Sequence, residues 1–224
     1  MLRAGGDGAD ARTALATLCS TYWIPLYAYA RRRGHEPADA RDLVQGFLCE
    51  LLEQGWVKNA DENRGRFRGF LAIAFRRYAG RERAKASTQK RGGGRALLRF
   101  DAAEGEAHYA AEPTNDRTPE QVFDRRWALT VIDRAMALAR ADYTRRDRAA
   151  DFDVLACHLD GTSPAPPYAE SANALGMSVG AVKVAVHRLR KRFSDHLRRE
   201  VGATVDESAD IDPEIRDLLA ALAN

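Results

Sequence analysis

The chain has 224 residues, the size of one large domain or two small ones, and its 35 basic and 32 acidic side chains leave a formal net charge of +3. A hydrophobic fraction of 45% argues against wholesale disorder, and no apolar run approaches the roughly 18 residues that a membrane span requires. The glycine- and aspartate-rich residues 1–10 lack the apolar core of a secretory signal, and the three cysteines are far apart in sequence. We therefore expect a cytoplasmic protein with reduced thiols and without a disulfide framework, a zinc site or a membrane segment.

The near-neutral total conceals four segments of alternating charge. Residues 64–99 hold twelve cations and one anion, a net charge of +11, whereas residues 101–124 carry −6. Residues 183–199 carry +6, and residues 200–224 carry −6. A segment at +11 repels itself and a polyanion would relieve that repulsion, so this layout favours nucleic acid as a partner over two merely solvated helix faces.

The first part of the chain is predicted to form a helical bundle. A helical stretch covers about residues 11–33, and apolar residues at steps of three and four indicate amphipathic helices over residues 40–52 and 67–78. These elements predict an N-terminal helical domain over residues 10–88.

Residues 89–117 are predicted to form a flexible linker, because they combine three consecutive glycines with dense charge and few periodic apolar positions. A new helix is predicted after Thr118, which can cap it, while Pro119 suits the first helical position and Gln121 can complete a capping box. Further helices follow and no strand alternation is present. The predicted fold class is all-α, with two helical domains joined by the linker.

The most informative segment is residues 168–197. A short helix from Tyr168 ends at Gly176, which suits a left-handed C-cap, and Ser178 then caps a basic helix with an apolar stripe. A short helix, a glycine-containing turn and a basic helix are the plan of the helix-turn-helix motif, whose second helix enters the major groove of DNA. An ordinary helical hairpin with a solvated basic face is the alternative interpretation.

Three motifs resemble those of the bacterial extracytoplasmic-function sigma factors, and together they cover about residues 12–200. Residues 168–192 (YAESANALGMSVGAVKVAVHRLRKR) resemble region 4 of that family, and residues 39–47 (DARDLVQGF) resemble region 2.2. Residues 66–71 (RFRGFL), with the basic helix that follows, resemble regions 2.3 and 2.4. The stretches at residues 22–29 and 89–94 resemble a branch of the family with a C-terminal extension.

The resemblance implies a two-domain sigma factor. Its parts would be a region 2-like domain at residues 10–88, the linker at 89–117, a region 4-like helix-turn-helix domain at 118–200 and an acidic extension with a short helix at 201–224. Such a factor binds core RNA polymerase through the β′ clamp and the β flap and directs it to promoter DNA. It has no catalytic residue, metal or cofactor of its own.

The resemblance also assigns residues to three surfaces. The helix that docks on the β′ clamp would present Asp42, Leu43, Gln45, Gly46, Phe47 and Glu50. Capture of an unpaired strand of the −10 element needs cations and aromatic faces. These would be Arg64, Arg66, Arg68, Arg76, Arg77, Tyr78 and Arg81. The −35 duplex would be contacted by Ser178, Gly180, Lys183, Val184, His187, Arg188 and Lys191.

Two residues depart from the family pattern. Gly46 stands where a bulkier residue is usual and costs up to about 1 kcal/mol of helix propensity, which close approach of a partner would offset. Ser171 stands where an aliphatic residue is common, and we expect it to loosen the helix-turn-helix core.

The acidic C-terminal tail contains a predicted helix that starts with Asp212 as cap and Pro213 at the first helical position. Two interpretations stay open: a packed end-helix, or an acidic amphipathic helix that docks within the molecule and restrains DNA or polymerase binding. An anti-sigma factor is the other regulator that the resemblance allows.

Two other functions stay open from the residues alone. A stand-alone helix-turn-helix regulator would bind duplex DNA without the polymerase, but it would not need the region 2.2-like segment. A metal-dependent nuclease would need a metal held by Asp151 and Asp153 or by Asp61 and Glu62, and no complementary histidine or lysine constellation accompanies either pair.

Overall fold

A computed structural model of the chain describes residues 9–53, 67–88, 101–111, 116–159, 165–205 and 210–223. Within these residues all regular secondary structure is helical, which confirms the predicted all-α fold class for this part of the chain. The helices are α1 (Ala9–Arg32), α2 (Pro37–Glu53), α3 (Phe67–Thr88), α4 (Ala102–Ala110), α5 (Pro119–Thr144), α6 (Ala149–Ala156), α7 (Tyr168–Leu175), α8 (Val179–Gly202) and α9 (Ile211–Ala223).

The described residues divide into two compact units. The first unit comprises Met1–Thr130 together with Gly202–Asn224, and the second unit comprises Val131–Val201. The C-terminal helix α9 therefore belongs to the same unit as the N-terminal helices, as both interpretations of the acidic extension at residues 201–224 allowed.

Aromatic packing forms the centre of the first unit. Tyr29 of α1, Phe47 of α2 and Phe75 of α3 are all at most 1% exposed. The ring of Phe75 lies edge-on to both of the others, with centroids 5.6 Å from Tyr29 and 5.1 Å from Phe47. Edge-to-face contacts of this kind add about 0.5–1.5 kcal/mol each to the gain from burial, so they tie the three helices together. The predicted apolar stripe of α2 is confirmed for its buried residues Ala40, Val44, Phe47, Leu48 and Leu51, while Leu43 and Leu52 of the same stripe are half-buried.

The predicted flexible linker over residues 89–117 is wrong for Ala102–Ala110, which form α4. Asp101 starts this helix, because its side chain accepts a hydrogen bond of 2.8 Å from the backbone N–H of Ala103. Residues 89–100 and 112–115 lie outside the described residues, so the prediction stands untested there.

Contacts with α1, rather than an apolar stripe of its own, hold α4 in place. A Cβ atom at Gly105 would meet the rings of Tyr27 at 3.0 Å and Trp23 at 3.1 Å, so glycine allows the close approach of the two helices. Glu106 accepts hydrogen bonds from the Tyr27 hydroxyl at 2.8 Å and from Nε of Arg31 at 2.9 Å. An isolated nine-residue helix is too short to be stable in water, and these long-range contacts supply what its sequence lacks.

The predicted capping box at the start of α5 is confirmed. The backbone N–H of Gln121 donates to Oγ1 of Thr118 at 3.2 Å, and the side-chain oxygen of Gln121 accepts from the backbone N–H of Thr118 at 2.8 Å. Two N–H groups that the helix itself cannot satisfy thus gain partners.

The core of the second unit draws on four helices. The predicted inward face of α8 is confirmed for Val182, Val186 and Leu189, which are at most 1% exposed. They belong to a cluster of buried residues that also contains Ala139, Tyr143, Phe152, Leu155 and Ala172. This core fixes α8 against α5, α6 and α7.

Ser171 is a hydrogen-bonded member of this unit and not a loose polar substitution. It is 4% exposed, and its hydroxyl lies 2.8 Å from Nε2 of His158, itself 6% exposed. The imidazole of His158 stacks on the ring of Tyr168, with centroids 4.6 Å apart. Each of the two buried polar groups has the other as its hydrogen-bond partner. Ser171 is therefore not an unsatisfied polar group that loosens the core, as the sequence predicted.

We expect Ser171→Ala to lower the free energy of unfolding by about 1–3 kcal/mol, because the buried ring nitrogen of His158 would lose its partner. Urea unfolding followed by far-ultraviolet circular dichroism measures the change. The control is Ser194→Ala at an exposed position of α8, where the higher helix propensity of alanine should leave stability equal or slightly raised. Equal stability of the Ser171 variant and the native chain would contradict this account.

Candidate nucleic-acid interface

The turn between α7 and α8 has the geometry that its sequence predicts. Gly176 adopts a left-handed conformation with φ of +61°, and its backbone N–H donates to the carbonyl oxygens of Ala172 and Asn173. The hydroxyl of Ser178 accepts a hydrogen bond of 3.2 Å from the backbone N–H of Ala181. The C-cap and the N-cap are therefore both confirmed, and they fix the direction in which α8 leaves the turn.

Opposite its buried stripe, α8 presents an exposed basic side. All seven residues predicted to contact the −35 duplex are exposed, and we name them the recognition face: Ser178, Gly180, Lys183, Val184, His187, Arg188 and Lys191. Val184 is 50% exposed although it is apolar, and an exposed branched side chain in a basic surface suits contact with a thymine methyl group. The face thus combines cations for phosphates with small and apolar groups for base edges.

The cations of α8 differ in whether they already have a partner within the protein. Arg190 is exposed, but it donates a hydrogen bond of 2.9 Å to the carbonyl oxygen of His158, just after the end of α6. The ammonium of Lys183 lies 5.8 Å from the ring centroid of Tyr168. Arg188 and Lys191 are exposed and form no ion pair with any described residue. These two are the cations best placed for an external anion.

The residues predicted to contact the −10 element do not share one exposed surface. Arg64 and Arg66 lie outside the described residues, while Arg76 and Arg77 are exposed on α3. Tyr78 is 8% exposed, and its ring lies under the guanidinium of Arg81 with 5.6 Å between centroid and carbon.

Arg68, also predicted to contact the −10 element, is buried in an ion-pair cluster. It is 8% exposed, and its Nε lies 3.0 Å from a carboxylate oxygen of Glu214, which is 1% exposed. A second pair joins it to Asp124 of α5, and Asp217 lies 4.0 Å away. The guanidinium also sits 4.7 Å from the ring centroid of Trp127. In this arrangement Arg68 faces carboxylates and an indole instead of solvent.

Neighbouring carboxylates stabilise the charged form of Arg68. Burial acts to lower the pKa of the guanidinium, but the carboxylates of Asp124 and Glu214 outweigh it and raise the pKa above its ordinary value. Sequence reasoning missed these partners, which lie 56 and 146 residues away along the chain. A signal was present, because Glu214, Asp217 and Leu218 follow at steps of three and one and share one side of α9.

The predicted polymerase-binding residues of α2 differ in exposure. Asp42 is exposed, and Leu43, Gln45, Gly46 and Glu50 are half-buried. Phe47 is fully buried between α1, α2 and α3, so its side chain is not on a surface that a partner could contact.

Glu50 links two of the predicted surfaces. Its carboxylate lies 2.5 Å from a guanidinium nitrogen of Arg81, which was assigned to the −10 element. The pair is partly exposed on both sides, with side chains 23% and 46% accessible, so it contributes little to stability and either partner can exchange it for an outside ion.

Gly46 has an intramolecular reason to be glycine. A Cβ atom at this position would lie 2.3 Å from the hydroxyl oxygen of Tyr78 and 3.4 Å from its Cζ. Burial, with the carboxylates of Glu82 and Glu50, raises the pKa of Tyr78 to about 12, so this hydroxyl is neutral. The close approach that was expected of an outside partner at Gly46 is made by Tyr78.

The acidic pairs considered for a nuclease metal have other contacts. Asp151 pairs with Arg148 at 2.6 Å, and Asp153 pairs with Arg140 at 3.1 Å. Asp61 and Glu62 lie outside the described residues. In the part of the chain that the structure describes, no three His, Cys, Asp or Glu side chains come together as metal ligands do. No helix among the same residues has the length and apolar character needed to cross a membrane.

Comparison of the chain with protein-family models, with curated proteins and with solved structures gave no match.

We expect Gly46→Ala to destabilise the native chain, because its methyl group would collide with the Tyr78 hydroxyl. In a Tyr78→Phe background that oxygen is absent and the nearest ring carbon lies at an ordinary 3.4 Å. There the same substitution should raise stability by up to about 1 kcal/mol, since alanine favours the helix. Urea unfolding of the native chain, the two single variants and the double variant measures the coupling between the two positions. An equal effect of Gly46→Ala in both backgrounds would refute the proposed collision.

Proposed function

We propose that the protein is a sigma factor of the extracytoplasmic-function type, which binds core RNA polymerase and directs it to promoters through −10 and −35 elements. The observation that carries the proposal is the recognition face of α8. It follows a helix-turn-helix turn with both caps formed, and all seven of its predicted residues are exposed. The proposed partners place its action in the bacterial cytoplasm.

Duplex binding is supported by the chemistry of α8. Its first turn carries Gly180 and Ala181, whose small side chains allow the backbone to come close to base edges. Arg188 and Lys191 follow two and three turns later, where a docked helix meets phosphates. The buried ridge of Val182, Val186 and Leu189 keeps these positions on the outside.

Polymerase binding is supported by a different part of the chain. The resemblance of residues 39–47 to region 2.2 places a docking helix at α2, and Asp42, Gln45 and Glu50 of that helix reach solvent fully or in part. A stand-alone helix-turn-helix regulator, the alternative function, would need α2 for the core of the first unit but not for docking on the polymerase.

Run-off transcription separates the two functions. We expect core polymerase with this protein to initiate on promoters of its own genome, and Lys191→Ala to weaken initiation by removing a phosphate contact. Arg216→Ala, on the exposed side of α9, makes the same change in net charge and should behave like the native chain. Binding of the duplex with no initiation on any template would favour the regulator. Salt-independent binding would exclude both, because phosphate contacts release counterions.

We further propose that α9 restrains the protein until the polymerase or the promoter displaces it. The cluster of Asp124, Glu214 and Asp217 surrounds Arg68 with carboxylate oxygens, as a phosphate group would. While α9 is docked, Arg68 is withheld from nucleic acid. Because an unpaired buried charge is strongly destabilising, release of α9 would favour an anion in its place. An anti-sigma factor would act in addition to this contact and is not required by it.

Glu214→Gln tests the restraint. The variant keeps the size of the side chain and loses its charge, so we expect stability to fall by about 1.5–3 kcal/mol, as for a hydrogen bond to a charged group. We also expect tighter binding of a single-stranded −10 oligonucleotide, measured by fluorescence anisotropy. Asp210→Asn removes an exposed charge from the same segment and serves as the control. Lower stability with unchanged oligonucleotide affinity would show that the contact only supports the fold.

A further inference from the structure

A cavity in the second unit is lined by four arginines and by six small, apolar or aromatic residues. It has a volume of about 390 Å³ and lies between the turn that joins α5 to α6 and the first half of α8. Arg146 and Arg148 of the turn and Arg188 and Arg192 of α8 line it, and no carboxylate is among its lining residues. We name this cavity the arginine groove. Arg148 is paired with Asp151 outside the lining, and the other three guanidinium groups make the cavity an attractive place for an anion.

The groove continues the recognition face. Gly180, Val184, Arg188 and Arg192 all line it, and they follow one another at intervals of four residues along α8. Residues spaced by four lie along one ridge of a helix. The first three of them also belong to the recognition face, so a DNA strand that passes along this face continues over the groove.

The turn that carries Arg146 and Arg148 is well defined. The carbonyl oxygen of Tyr143 accepts hydrogen bonds of 3.0 Å from the backbone N–H groups of both arginines. Asp147 between them has φ of +56°, a left-handed conformation that aspartate tolerates better than most residues. The two arginines are therefore held at the wall of the groove by a fixed backbone.

The four cations are positioned differently. The carboxylate of Asp151 lies 2.6 Å from Arg148, and the ring of Tyr143 lies under Arg192 with 5.5 Å to the guanidinium carbon. Arg146 and Arg188 are exposed and have no ion-pair partner among the described residues. Two arginines are thus oriented by neighbours, and two are left to meet a ligand. The planar guanidinium matches phosphate oxygens in pairs, which lysine does not do.

We propose that the arginine groove binds a backbone phosphate of the DNA strand whose bases lie against the recognition face. Arg146 and Arg148 would then extend the interface beyond the helix-turn-helix itself and fix the register of α8 on the duplex. This inference rests on the proposed binding of duplex DNA.

The test measures binding of a labelled duplex of mixed sequence by fluorescence anisotropy between about 0.05 and 0.2 M salt. Loss of one phosphate contact in Arg146→Ala should lower the slope of log affinity against log salt by about one and lower affinity about fivefold at 0.15 M. The loss should be equal on unrelated duplexes, since phosphates carry no sequence. Arg146→Lys should restore part of it. Arg145→Ala is the matched control, because Arg145 is 70% accessible in the same turn but pairs with Asp142 and does not line the groove.

The outcomes separate this inference from the function on which it rests. No duplex binding by the native chain overturns both. Native binding with Arg146→Ala equal to the native chain, or no worse than Arg145→Ala, overturns the groove alone. Titration with inorganic phosphate distinguishes the other source of the same chemistry. Binding of free phosphate that depends on Arg146, with duplex affinity unchanged in Arg146→Ala, would assign the groove to a small anion and overturn the DNA contact.

Discussion

The ion-pair cluster at Arg68 is the constraint on which the first unit depends. One buried guanidinium joins α3, which carries it, to Asp124 of α5 and to Glu214 of α9. Burying charges is unfavourable unless each is paired with good geometry, so each member of the cluster requires the others. Removal of α9 would leave Arg68 facing Trp127 and a single close carboxylate. The C-terminal helix is therefore held in the first unit by ion pairs as well as by the burial of its apolar side.

This cluster changes what the charge layout of the chain means. The segments of +11 and −6 appear in the sequence as separate blocks, yet Arg68 comes from the first basic block, Asp124 from the first acidic one and Glu214 from the last. Carboxylates of both acidic blocks thus neutralise one cation of the first basic block within the fold. Other cations stay exposed without ion pairs among the described residues: Arg76 and Arg77 in the first basic block, and Arg188 and Lys191 in the second. Only cations of the latter kind are available to a polyanion in this arrangement.

Local signals explain which parts could be predicted from the sequence. The caps at Gly176 and Ser178 depend on residues within a few positions of one another, and the exposed side of α8 follows from helical periodicity alone. The helix α4 could not be predicted, because it is held by Glu106 and Gly105 against an α1 some 75 residues earlier in the chain. The burial of Arg68 escaped prediction for the same reason. Its chemistry is set by carboxylates that only the fold brings near.

The helical periodicity that buries one side of α8 also aligns the recognition face with the arginine groove on the other side. Val182, Val186 and Leu189 anchor one ridge in the second unit, which leaves the ridge of Gly180, Val184, Arg188 and Arg192 on the outside. Because the helix is fixed by its core and by its N-cap at Ser178, little ordering of its backbone is needed when a ligand meets that ridge. The ridge runs from small residues to arginine, so the order of these groups along α8 is fixed by the fold. Under the proposed function, that order would set the register in which α8 meets base edges and phosphates.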